Sequence, residues 1–262
     1  MKKALTEFKL SGSVKFVRIL LVGPVGAGKS SFINSVNNVF QGRMTCSAFV
    51  STDASGTSFT SAYKTHYTKS GHSKSPFVFS DTMGLEEAES DGVHTNDLIK
   101  ALQDQVKEGY TFNPVSSLSL KDPGFVNNPD RSKPTCCLVF VLPADKVKLI
   151  SDKVFEKLKR IRKEATKMEV PQVLLLTRVD KACQLVAKDL KKVYMSKKVK
   201  EQMEICHINL GIPMVHIFPV KNYHEEIDTQ NDIDVLILKA LTQIVHLAND
   251  KLDVANEFDD VL

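Results

Sequence analysis

Short apolar runs alternate along the chain with longer stretches of helical period. "VKFVRILLV" (14–22) reads as a buried strand, and "SSFINSVNNVF" (30–40) sets Phe32, Ile33, Val36 and Val39 or Phe40 on one side of a helix. "SAYKTHYT" (61–68) and "PFVFSD" (76–81) flank "KSGHSKS", the composition of a hairpin turn. "TCCLVFVLP" (135–143), "VPQVLLLT" (170–177) and "PMVHIFPV" (213–220) are three further strand-type runs. Ile150, Val154, Leu158, Ile161 and Ala165 keep a clean helical spacing, and "DIDVLILKALTQIVHLA" (232–248) is another helix. Buried-type strands separated by helices imply an α/β fold, a mostly parallel sheet with helices on both faces. Ligands in such folds lie at the carboxyl ends of the strands.

One region breaks the pattern. Residues 109–134 carry four prolines and two glycines and little periodicity. They read as a long surface insertion, the kind of loop that is functional or mobile. With this insertion included, residues 14–252 read as one domain, preceded by an extension (1–13) and followed by a tail (253–262).

Composition narrows the function classes only modestly. The net charge is +4 at pH 7 and there is no Trp, so a base-stacking platform is disfavoured and nucleic acid is an unlikely partner. The five cysteines (46, 136, 137, 183, 206) include no C-x-x-C pair, which fits a reducing compartment and offers no zinc site. Cys136 and Cys137, inside "CCLVFVL", read as small buried hydrophobes. The start "MKKALTEFKL" is not a signal peptide and no apolar run is long enough for a membrane span, so a cytoplasmic protein with no integral membrane association is expected. The seven histidines show no zinc spacing. His216 reads as a strand residue, and His94 is the one worth testing near a phosphate.

The chemistry starts at "GPVGAGKS" (23–30), directly behind the first apolar run. This is the pattern G-x-x-x-x-G-K-[ST]. Gly23, Val25, Gly26, Ala27, Gly28, Lys29, Ser30 and Ser31 are the candidate phosphate-loop residues. Glycines let backbone N–H groups close around phosphate oxygens, and the following helix aims its positive end at the anion. Lys29 supplies a point charge and the Ser30 hydroxyl a Mg²⁺ ligand. The pattern arises by chance on the order of 1% of the time in a chain of this length. The alternative is a plain glycine turn with a surface lysine.

A second anchor is "FVFSDTMG" (77–84), where a strand ends in Asp81, a carboxylate placed to hold Mg²⁺. The Gly84 backbone can then meet a γ-phosphate. D-x-x-G alone is weak, and a lone Asp-Thr turn would explain it as well. The third anchor, "VLLLTRVD" (173–180), ends a strand with Thr177, Arg178 and Asp180. Asp180 can accept from the N1–H and 2-amino groups of guanine. Adenine lacks that donor pair and would leave the carboxylate unpaired. The Arg178 guanidinium can cover the purine ring. A strand-ending Asp before a helix is also an ordinary N-cap.

These motifs, in this order, resemble the GTP-binding domain of the Ras-like and translation-factor GTPases. "LLVGPVGAGKSSFINSVNNVFQG", "FSDTMGLEE", "YTFNPVSSLSL" and "LLLTRVDKAC" further resemble the interferon-induced protein 44 and 44-like family, over roughly residues 10 to 250. Longer members of that family carry an additional N-terminal domain of the TLDc type, with no counterpart visible here. The resemblance implies a P-loop GTPase-like three-layer sandwich with an insertion after the second switch. It also implies GTP/GDP and Mg²⁺ as ligands and a role in interferon-induced antiviral immunity. It assigns Asp81 and Gly84 to sensing the γ-phosphate. It asks for a first-switch threonine, from Thr52, Thr57 and Thr60, of which Thr57 is preferred as a metal and catalytic residue. The last guanine loop, usually Ser-Ala-Lys, is matched approximately by Val220, Lys221 and Asn222.

Where Ras-like enzymes place a water-orienting Gln after D-x-x-G, this chain has Leu85, then Glu86 and Glu87. Val25 adds bulk where Ras-like loops have glycine. Tight binding with slow turnover is expected, unless a partner, a second copy, or an arginine such as Arg43 or Arg131 completes the site. A nucleotide-gated scaffold is the alternative, with a protein partner or a nucleotide-dependent homodimer as its output. An ATP-driven machine fits the first loop but not Asp180. "KLKRIRKEATK" (157–167) and "KDLKKVYMSKKVKE" (188–201) read as solvated helix faces with their apolar residues turned away. Contact with anionic lipid or RNA is the alternative.

Overall fold

The structure, a computed structural model, describes residues 1–11, 14, 16–48, 60–70, 73–88, 91–130 and 134–259. Six strands form one sheet in the order β2-β3-β1-β4-β5-β6. They are β1 (Val17–Val22), β2 (Lys64–Ser70), β3 (Ser73–Asp81), β4 (Thr135–Pro143), β5 (Gln172–Thr177) and β6 (Ile217–Pro219). Only the β2–β3 hairpin is antiparallel; β3, β1, β4, β5 and β6 run parallel. β4 is buried along its whole length, as a central strand covered on both faces must be. Cys136 and Cys137 lie in it as buried hydrophobes, and burial pushes the Cys136 thiol up to about 11.

Eight α-helices complete the described chain: α1 (Lys2–Thr6), α2 (Lys29–Gln41), α3 (Thr95–Leu102), α4 (Asp152–Lys167), α5 (Val179–Ala182), α6 (Gln184–Lys188), α7 (Lys197–Leu210) and α8 (Asn231–Asp259). α2 packs with α8, while α3 packs on α4 and α4 on α7, which gives the expected three layers. α4 buries Val154, Phe155, Leu158, Ile161 and Ala165, the apolar stripe that the spacing marked. The N-terminal segment follows α8: Leu5 is buried, Phe8 stacks on His246, and Ser11 N–H donates to Asn249 Oδ1.

Three expectations need correction. His216 is not in a strand. Met214–His216 form a 3-10 turn, and β6 keeps only Ile217–Pro219, where Pro213 and Pro219 bound the run. The insertion is not a loose surface loop, because Phe112 and Leu118 are buried and its backbone bonds to the rest of the chain. The segment 188–201 is not one amphipathic helix. It breaks into the end of α6, a 3-10 turn (Leu190–Met195) and the start of α7, which leaves Tyr194 and Met195 exposed among lysines.

Candidate nucleotide site

β1 ends at Val22, and the backbone reverses through Gly23–Gly28 into α2. Gly26 and Gly28 hold φ of +70° and +96°, a region that side chains disfavour. At Gly23 a Cβ would run into the Val141 carbonyl oxygen of β4. α2 thus begins at Lys29 with its N-terminus beside the loop, a ready anion site. Lys29 is buried, and its ammonium donates to the carbonyls of Gly23 (3.0 Å) and Pro24 (3.1 Å). Burial lowers its pKa from 10.5 to about 8, while Asp81 and Glu86 pull it upward.

The Asp81 strand end lies next to this loop. Ser30 Oγ donates to Asp81 Oδ2 at 2.6 Å. Thr60 Oγ1 is 3.3 Å from Ser30 Oγ and 3.5 Å from Asp81 Oδ2. Of the three candidate threonines, Thr60 lies beside this pair, and Thr52 and the preferred Thr57 lie outside the described residues. Thr82 fixes the turn by donating to the Leu21 carbonyl at 2.8 Å. The following segment forms a parallel bridge to the phosphate loop: Leu85 N–H donates to Gly23 O (3.1 Å) and Val25 N–H to Leu85 O (3.2 Å). Val25 packs so closely on Gly84 that a Cβ at Gly84 would collide with it. The Leu85 side chain is fully buried.

The guanine-type loop meets the phosphate loop from the other side. Thr177 Oγ1 donates to the Ala27 carbonyl at 2.6 Å. Arg178 takes a left-handed φ of 58° and its Nη2 lies 3.3 Å from Asp145 Oδ2. Asp180 lies in the first turn of α5, half-buried. Asn222 Nδ2 donates to the Gly28 carbonyl at 3.0 Å, so the last loop is tied to the phosphate loop as well. Lys221 differs from the approximate match: Glu226 engages its ammonium. Ser31 is half-buried, and its carbonyl accepts from Ser35 Oγ at 2.7 Å.

Several supports carried no sequence signal. Asn34 Oδ1 accepts from the N–H groups of Ser47 and Ala48, and Asn38 Oδ1 from Thr45, so α2 anchors the entry to the first switch. Lys157 of α4 donates to the carbonyls of Glu86 (2.9 Å) and Glu87 (3.2 Å), which ties the segment after Asp81 to α4. The basic run at 157–167 is thus partly structural. The insertion is tied to two other parts of the chain. Phe112 N–H donates to Ser61 O beside Thr60, and Asp97 of α3 accepts from Leu118 N–H (2.9 Å) and Ser117 Oγ (2.5 Å). His94 lies at the N-cap of α3, with a buried Nε2 that has no hydrogen-bond partner among the described residues. Arg43 is exposed and its Nη1 donates weakly to the Met44 carbonyl, while Arg131 lies outside the described residues.

The donor set suits Mg²⁺. It offers one carboxylate and two hydroxyls, hard oxygens that leave coordination positions for water and phosphate. Among the described residues no cluster of three or more His, Cys, Asp or Glu could hold a softer metal. No described helix is long and apolar enough to cross a membrane.

Comparison with known proteins agrees with this geometry. The chain is 36% identical over 253 residues to interferon-induced protein 44 of Homo sapiens, covering 95% of this chain and 56% of that protein. It is 34% identical over 244 residues to interferon-induced protein 44-like of Homo sapiens, covering 92% of this chain and 53% of that protein. The chain therefore spans about half the length of the curated relatives it matches. No family model matches. The crystal structure of Toc33 from Arabidopsis thaliana in complex with GDP and Mg²⁺ superposes with a TM-score of 0.50 at 14% identity, over 91% of this chain and 86% of that one. That likeness carries the fold, which is that of the P-loop GTPases.

Proposed function

The chain is a relative of interferon-induced protein 44 and 44-like, and from that premise we propose that it is a guanine-nucleotide-binding protein that holds GTP or GDP with Mg²⁺ and turns GTP over slowly. The observation that carries this reading is the joining of three loops in one site. Ser30 bonds Asp81, Thr177 bonds the Ala27 carbonyl, and Asn222 bonds the Gly28 carbonyl. A glycine turn with a stray lysine would not need any of these ties.

Each residue then has a role on this reading. Gly23, Val25, Gly26, Ala27, Gly28, Ser30 and Ser31 form the phosphate cradle through their backbone, with Lys29 as its charge. Ser30, Asp81 and Thr60 would hold Mg²⁺, which when bound draws charge from the phosphate oxygens. Gly84 offers backbone N–H to the terminal phosphate. Asp180 selects guanine, and Arg178, held by Asp145, flanks the base. Residues 14–252 would be the nucleotide domain, with 109–134 as an insertion that touches both switches. The relatives are named as interferon-induced proteins, which supports a role in the interferon response, and a cytoplasmic, antiviral protein with a protein partner is part of the proposal.

Leu85 limits the chemistry. Its backbone is paired with the phosphate loop and its side chain is in the core, so it neither polarises nor positions water. This favours a second reading, a nucleotide-gated scaffold with little hydrolysis. Displacement of a fluorescent GDP tests binding: GDP and GTP should compete and ATP should not. Single-turnover GTP hydrolysis then separates the two readings. A fast unaided rate would refute both.

A further inference from the structure

The basic segment 188–200 does not serve the nucleotide site. It reads "KDLKKVYMSKKVK": six lysines (188, 191, 192, 197, 198, 200) and one acid, Asp189. At its centre Tyr194 is 61% and Met195 78% exposed. Both lie on the 3-10 turn between α6 and α7. The core beneath is already filled by Val193 from this turn and by Val199, Cys206 and Leu210 from α7. The exposed pair therefore does no packing work. Tyr194 also helps line a cavity of about 380 Å³ with Met1, Val215, Phe218 and Lys239. Val215 is 76% exposed and Met1 52%. One surface thus carries the protruding Met1, Tyr194 and Val215, with the exposed Met195 next to Tyr194 in the chain and with Lys239 and the lysines on both sides of Tyr194 around it. Lys191 reaches only Asp232, at 3.9 Å, and Lys192 only Asp189, at 3.6 Å, among the ion pairs of the described residues.

We propose that this surface, centred on Tyr194 and Met195, is a peripheral contact for membranes that contain anionic lipid. The chemistry selects that partner. Flexible lysine stems can lie along an acyl surface while their charges stay at the headgroups. Tyr suits the interfacial layer. Shallow insertion of a few apolar side chains is weak alone and becomes stable with a polybasic frame, which supplies the second signal. An RNA surface would call for arginine and a row of aromatic platforms, and the segment has no arginine and one tyrosine. A second copy of the chain would bring the same lysines face to face across a two-fold axis, which like-charge repulsion opposes. The surface lies beyond α5, to which Ser196 Oγ is tied by donating to Cys183 Sγ at 3.2 Å.

Vesicle flotation of the full chain tests this, with phosphatidylcholine alone and with about one third phosphatidylserine, at low and high salt. The chain should float with the anionic vesicles, stay behind with the neutral ones, and be released by high salt. Met195→Glu with Tyr194→Ser should lower vesicle affinity at least about tenfold, and Lys197→Gln with Lys198→Gln several-fold per charge. All four positions are solvent-facing, so melting temperature and GDP binding should stay at the unsubstituted values. Equal flotation with neutral vesicles, or none with anionic ones, overturns the proposal. So does binding to a poly(U) oligonucleotide without vesicle binding, or a dimer in solution that Met195→Glu dissolves.

Discussion

Lys29→Met separates what the phosphate loop costs from what it does. Lys29 is 7% exposed and its ammonium sits against two carbonyls of its own loop. Burial brings its pKa down from 10.5 to about 8 despite Asp81 and Glu86. In the unfolded chain a lysine titrates near its ordinary value, about 10.4. Between those two values the unfolded state holds more protons than the folded state. The stability of the nucleotide-free protein therefore rises with pH through this window, and the penalty stands at full size below pH 8. For these pKa values the contribution changes by about 2 kcal/mol between pH 7 and pH 9.5. In a chain of this size that is a melting shift of about 4 °C. Methionine keeps the stem and removes the charge. Thermal melting of both proteins without nucleotide, at the two pH values, isolates Lys29 because every other titrating group is common to the pair. The gap should move by about 4 °C in favour of the unsubstituted protein at the higher pH. A gap independent of pH refutes the buried-charge argument, and a gap that moves the other way means that folding gives Lys29 a stabilising anion.

Other substitutions probe other joints of the site. Gly23→Ala drives a Cβ into the Val141 carbonyl and should cost about 1–3 kcal/mol in urea unfolding, since backbone must shift. Thr60→Ala should raise the Mg²⁺ concentration needed for tight binding of a non-hydrolysable GTP analogue by about tenfold, with GDP binding much less affected; equal effects on both would remove Thr60 from the switch. Asp97→Ala releases Ser117 and Leu118 and should speed hydrogen exchange across 109–130 while β4 and β5 stay protected.

The sheet was legible because buried parallel strands are short continuous apolar runs. "TCCLVFVLP" matches β4 residue for residue. The phosphate loop was legible because its glycines answer a local backbone demand. What escaped was set by distant partners. α3 is an eight-residue helix whose buried Asp97 reads as polar surface until the insertion folds onto it. Asn34, Asn38 and Lys157 look like exposed helix residues, and nothing local says that they hold loops on other elements. No spacing marks Thr60, because its place beside Ser30 is a contact between segments 30 residues apart in the chain. His216 was misplaced because an apolar run between prolines fits a strand or a tight turn equally well.

The measurement that meets the central claim most directly is calorimetric titration of the folded chain with GDP and with ATP in the presence of Mg²⁺. Saturable heat with GDP at a stoichiometry near one, absent with ATP and abolished by Lys29→Ala, is the expected result. A folded protein that gives no heat with GDP, or equal heat with ATP, contradicts the account.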